Sequence, residues 1–155
     1  MMKITSCLLL LGNLLFFAAC ATKDPYNSAR EINEECIVEM EAARTAIHLR
    51  DKGKTQQEMA ATLPPLNKSS SRLLVQLHQI IEESYRYPAL NEVIYPTYRF
   101  ELCVRQLTNK PYPADIKMAF PTLMGCQQQY GRHASTAATQ CVTSALDQTN
   151  LPASN

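Results

Sequence analysis

A chain of 155 residues that is 46% apolar and 19% charged has the balance of one globular domain, which excludes both a disordered tail and a multidomain enzyme. Lys3 is the only charge ahead of Lys23, so losing the leader takes 15 basic residues to 14, against 14 acidic ones. The body is then neutral, and no electrostatic case for nucleic-acid binding follows.

In chain order, residues 1–19, MMKITSCLLLLGNLLFFAA, give a positive start, an apolar run and then small residues, the layout of a signal peptide for export. The run is too short, and too softened by Gly12 and Asn13, for a membrane span of about 20 residues. Phe17, Ala18, Ala19 and Cys20 resemble the lipobox of bacterial lipoproteins, although Phe17 stands where Leu is usual. The resemblance implies that Cys20 is lipidated and becomes the N-terminus, with residues 20–27 as a tether to the membrane. Ala21 after the cysteine resembles the outer-membrane class, which faces the periplasm. The competing cut uses Ala19, Cys20 and Ala21 as an AxA site, leaving Thr22 first and the protein soluble in the periplasm or secreted.

Residues 28–149 are expected to form one helical domain, with 150–155 as a disordered tail. Ser28 and Glu31 have capping-box spacing, and Ile32, Cys36, Met40, Ala43 and Ile47 form an apolar stripe on a long helix that Gly53 caps. Thr55 and Glu58 repeat the box and open a short helix through Leu63, which Pro64 and Pro65 stop. After a polar junction at 67–71, RLLVQLHQIIEESY presents Leu73, Leu74, Leu77, Ile80, Ile81 and Tyr85 on the broadest apolar face. A turn at Tyr87 and Pro88 precedes a helix over 89–107, with Leu90, Val93, Phe100, Val104 and Leu107 inward and Pro96 bending it or splitting off its first turn. NKPYP at 109–113 is a loop. Residues 114–120 suit a helix, and Pro121 suits the first turn of another running to about 130. A last helix over 135–148 turns Ala138, Cys141, Val142 and Ala145 inward. No alternating strand pattern persists, so the fold class is all-α: a bundle of five or six helices.

Cys7 goes with the leader and Cys20 is lipidated or removed, which leaves Cys36, Cys103, Cys126 and Cys141 for two disulfide bonds in an oxidising compartment. Three pairings are open. Cys126 with Cys141 is favoured because GRHAST between them suits a helical hairpin turn, leaving Cys36 with Cys103. With no CxxC and no Cys/His pair at zinc spacing, no metal or redox site is expected.

Catalytic signatures are missing. His48, His78 and His133 lie apart, there is no GxSxG, HExxH or phosphate loop, and only four glycines occur. Glu34 with Glu35 and Glu82 with Glu83 are adjacent carboxylates that point about 100° apart on a helix, so each pair reads as a solvated face. Glu82 and Arg86 suit a surface ion pair. Arg44, His48 and Lys52 share one side of the helix end, and Arg50, Lys52 and Lys54 surround its C-terminus, where cations complement the helix dipole; a phosphate or lipid-headgroup site is the secondary reading. Residues 85–100, YRYPALNEVIYPTYRF, hold four of the seven tyrosines. Arg86, Tyr87, Tyr95, Tyr98 and Arg99 make this the candidate partner surface, since tyrosine and arginine anchor interfaces; the plainer reading is packing of tyrosines in the core and at proline-marked turns.

The order of signal, Cys36, RDKG at 50–53, SYRYP at 84–88, Cys103 and a closing cysteine hairpin resembles uncharacterised small exported helical proteins of Gram-negative bacteria. That resemblance implies no activity, cofactor or site. The expectation is a non-enzymatic envelope lipoprotein, without cofactors, that binds or supports another envelope protein. Two alternatives stand beside it: a peptidoglycan-directed hydrolase, or inhibitor of a secreted enzyme, using Glu82 or Glu101 in a groove, and a carrier of a small hydrophobic ligand in an apolar pocket between helices.

Overall fold

The structure is a computed structural model that describes residues 25–148, with side chains from residue 29 onward. The signal peptide, Cys20 and the tail at 150–155 lie outside the described residues. Among these there are six helices and no strand: α1 (Pro25–Asp51), α2 (Gln56–Ala60), α3 (Arg72–Arg86), α4 (Ile94–Leu107), α5 (Ile116–Tyr130) and α6 (Thr136–Gln148). None of them is long and apolar enough to cross a membrane.

α1 starts at Pro25, so Ser28 lies inside the helix and not at its cap. Proline suits that first position, because its fixed φ is helical and its missing N–H has no intrahelical partner there. At the other end Gly53 adopts φ 87°, and the N–H groups of Gly53 and Lys54 reach back to the carbonyls of Arg50 and Leu49. This paired closure needs a residue in the left-handed region, which glycine enters without a Cβ clash. Thr55 and Glu58 then form the expected capping box. Its helix ends at Ala60, three residues early, as Thr62 and Leu63 tighten into a turn ahead of the two prolines.

α1, α3 and α4 form the central layer. Cys36 meets Cys103, Glu39 meets Arg99 and Arg50 meets the Leu90 carbonyl, so α1 and α4 are antiparallel. Arg72 reaches Glu35 while Arg50 reaches the Ser84 carbonyl, so α1 and α3 are parallel. Residues 52–71, including α2, make the return between them. The α5–α6 hairpin is closed by Cys126–Cys141 and packs on α4, where Arg105 donates to the Thr143 carbonyl and to Asp147. Both favoured disulfides are therefore present.

α4 begins at Ile94, not near 89, because Asn91 Oδ1 accepts the N–H groups of Val93 and Ile94 and starts the helix there. Pro96 falls in the first turn, where no N–H needs a partner, and α4 runs unbroken from Ile94 through it. The buried face of α4 is also rotated from expectation. Leu90 is buried, but Val93, Phe100, Val104 and Leu107 are only half-buried, while Ile94, Tyr95, Tyr98, Arg99 and Leu102 occupy the interior.

α5 is one helix through Pro121, not two. Asp115 caps it by accepting the Lys117 N–H, and the proline leaves just the Lys117 carbonyl without its helical donor, near an exposed end. Gln127 binds the backbone of Ala89 and Asn91, and Asn91 donates to the Gly131 carbonyl. A Cβ at Gly131 would stand 2.4 Å from the Gln127 carbonyl oxygen, so this junction requires glycine.

Candidate functional site

The structure divides the candidate partner surface. Arg86 is exposed and paired with Glu82, and Tyr87 is half-buried with its ring 4.9 Å from that of Phe120. Tyr95, Tyr98 and Arg99 are interior residues, so they present no surface to a partner. The reason is electrostatic as well as apolar: the Arg99 guanidinium meets two buried carboxylates, Glu39 of α1 and Glu83 of α3.

Arg99 and Glu39 are both 0% exposed and Glu83 is 4% exposed. Arg99 Nη2 lies 3.0 Å from Glu39 Oε2, and Nη1 lies 3.4 Å from Glu83 Oε2. Tyr95 donates to Glu83 at 2.9 Å, Gln79 donates to its other oxygen at 2.8 Å, and Gln76 accepts from Arg99. Glu39 has less support. Its Oε1 is 2.9 Å from Arg72 Nη2, within ion-pair range but out of line for a hydrogen bond, and this oxygen and Arg99 Nε are left without one. Arg72 also binds Glu35 at 2.6 Å, carrying the network from the interior to the surface. Glu35 and Glu83 thus depart from the solvated faces expected for the two acidic pairs, while Glu34 and Glu82 remain outside, paired with Arg30 and Arg86.

Burial shapes the titration of this cluster. It pushes the Tyr95 phenol well above its ordinary value, reinforced by Glu83, and raises Tyr98 for the same two reasons. Burial by itself lowers the Arg99 guanidinium, but Tyr95, Glu83 and Glu39 outweigh it and hold the group above its usual pKa. Two carboxylates from different helices do converge here, yet on an arginine inside the bundle. Glu82 is exposed and Glu101 half-buried, and neither lines a described cavity.

The feature suited to binding lies between α1, α2 and α3. A cleft of about 280 Å³ is floored by Ala42, Ala46 and Leu49 of α1, Leu77 and Ile80 of α3, and Met59 of α2. Charge appears only at its rim, where Lys54 and Glu58 face each other at 3.8 Å. The segment that covers it is pinned from α3. The Tyr85 hydroxyl donates to the Lys54 carbonyl and lies 3.2 Å from Met59 Sδ, while His78 Nε2–H donates to the Pro64 carbonyl at 2.9 Å.

The α3 wall, Leu77 and Ile80, was legible from sequence as an apolar face, but Ala42, Ala46 and Leu49 of α1 were not. The signal was a second apolar row on α1, Val38, Ala42, Ala46 and Leu49, beside the Cys36–Ala43–Ile47 stripe. One helix contact fills one stripe, so a doubled stripe on α1 marks a helix with two apolar neighbours, here α4 on one side and the α2–α3 side with its cleft on the other. A second hollow, about 310 Å³, is ringed by Arg105, Lys110, Pro111, Thr143 and Asp147, where Arg105 already serves two carbonyls and Asp147. No family model, curated protein or solved structure matches the chain.

Proposed function

We propose that this chain is a non-enzymatic binding module of the bacterial envelope, exported, tethered by a lipid on Cys20 and facing the periplasm from the outer membrane. The cleft between α1, α2 and α3 is its binding element. The carrying observation is that cleft: a largely aliphatic hollow at the lower end of the size range of small-molecule sites, roughly 300–1,000 Å³. Two disulfides support the compartment, since such bonds persist outside the reducing cytosol. Of the sequence-based alternatives, the hydrophobic-ligand carrier gains from the structure. The hydrolase loses support, because the carboxylates that converge are neutralised around Arg99 away from any groove.

The binding element lies on α1, α2 and α3 and not in residues 85–100, where Tyr95, Tyr98 and Arg99 are buried. Ala42 lies 17 residues from Pro25, about 25 Å along α1, so a membrane tether at the N-terminal end holds the cleft clear of the lipid headgroups. The test has two arms. Mass spectrometry of the mature N-terminus is expected to find acylated Cys20, and an unmodified Thr22 would remove the tether. A fluorescent apolar dye is expected to bind saturably to the wild type and not to Ala42→Phe, which fills the floor of the cleft. Equal binding by both, with unchanged circular dichroism, would place the site elsewhere.

A further inference from the structure

We infer that the cleft takes a single unbranched alkyl chain of an amphiphile, its polar head at the Lys54–Glu58 rim and its tail directed toward Val38. This deepens, and rests on, the cleft-binding reading above. Three observations fix the class of occupant.

The lining is mostly methyl, methylene and thioether groups, joined by Thr45 and by Thr62, whose hydroxyl is taken up by the Met59 carbonyl, and it holds no aromatic ring, so a flat aromatic ligand finds no ring to stack on. The hollow holds about 280 Å³, close to the small limit of small-molecule sites, a size that suits one slender chain.

The two ends of the cleft also differ. At the C-terminal end of α1 stand the ammonium of Lys54 and the carboxylate of Glu58, both more than half exposed. One turn before Ala42, on the same row of α1, Val38 is 46% exposed and continues the apolar surface out of the cleft. Polar groups at one mouth and an apolar ledge at the other give an amphiphile one orientation. Because the rim carries one charge of each sign, recognition falls on the chain more than on the head.

The experiment titrates the full mature protein with two homologous series, alkyl carboxylates from hexanoate to dodecanoate and alkyl trimethylammonium salts of matching length. All are kept below their critical micelle concentrations, and binding is read by calorimetry. Each added methylene is expected to tighten binding about fourfold in both series until the cleft is filled. Val38→Ser, an exposed position that leaves folding intact, is expected to weaken dodecanoate about fourfold, one methylene's worth, and to leave hexanoate unchanged. Lys54→Gln is expected to weaken carboxylates relative to ammonium salts at every length.

A flat dependence on chain length, or naphthalene derivatives binding as tightly as the longest chains, would overturn the assignment of ligand class. No effect of Val38→Ser on dodecanoate would overturn the orientation. An apolar dye that binds while the chain series stays flat removes this inference alone, whereas no apolar probe binding at all removes the cleft as the binding element.

Discussion

Replacing Arg99 with methionine keeps much of the side-chain volume and removes the charge that Glu39 and Glu83 share. Both carboxylates stay inside the bundle, their side chains 0% and 6% exposed, and each loses a charge-assisted contact to the guanidinium. A hydrogen bond to a charged group contributes about 1.5–3 kcal/mol, and breaking a buried pair from one side costs about 3–5 kcal/mol. A domain of this size has a total stability of about 5–15 kcal/mol, so R99M removes a large share of it. The two survivors are not equivalent. Glu83 keeps Tyr95 and Gln79, while Glu39 keeps only the off-line contact with Arg72. Neutralising Glu39 in the R99M background is therefore expected to recover more stability than neutralising Glu83. The assay is urea unfolding by far-UV circular dichroism with both disulfides oxidised, comparing R99M, R99M/E39Q and R99M/E83Q at constant m-value. A cost for R99M below about 1 kcal/mol, or a better rescue by E83Q, would refute the account of the network.

The two disulfides are expected to contribute unequally: in the chain-entropy model the separation of 67 residues gives about 4 kcal/mol and that of 15 about 3 kcal/mol. Urea midpoints of the paired Cys→Ser variants should therefore fall further for Cys36/Cys103, and the reverse order would contradict the model. Alkaline pH is expected to unfold the protein through Tyr95 and Tyr98. Their raised folded-state pKa values mean that the unfolded chain releases these protons first, so their stabilising contribution is full below about pH 10 and falls as pH rises above it. Tyrosinate absorbance from these two should appear only with loss of circular dichroism, and its appearance in the folded state would show that they are accessible. Gly53→Ala forces an L-residue into φ 87° and is expected to cost about 1–2 kcal/mol, whereas a neutral result would mean that the end of α1 rearranges freely.

Much of the fold was legible in the sequence where the cause is local. Gly53 and the Thr55–Glu58 box act within one turn of chain, and the cysteine hairpin joins residues only 15 apart in sequence, so each could be read directly. Pro121 misled because proline costs one hydrogen bond, and the Asp115 cap with Ile116, Ala119 and Leu123 buried on either side sustains the helix through it. The face of α4 misled for a different reason. Tyr95, Tyr98 and Arg99 look like surface anchors until a countercharge is found 60 residues away on α1 and another 16 away on α3. One trace was available. Glu39 sits between Cys36 and Ala43 on the apolar stripe of α1, and Glu83 follows Ile80 on that of α3, at positions where a carboxylate needs a buried cation. The cleft left a fainter mark, since a doubled apolar row shows that α1 has two apolar neighbours without showing that one of them is empty space.

The crosslink between Cys36 and Cys103 has a mechanical consequence. Every residue of the cleft, from Ala42 to Ile81, lies inside the loop that this bond closes. A load pulling on the two ends of the oxidised chain passes from α1 directly into α4 through sulfur. It can straighten the segment before residue 36 and those beyond residue 103 that lie outside the second loop, but not the segment held between the paired cysteines. On the function proposed above, tension on an N-terminal tether would leave the cleft out of the line of force.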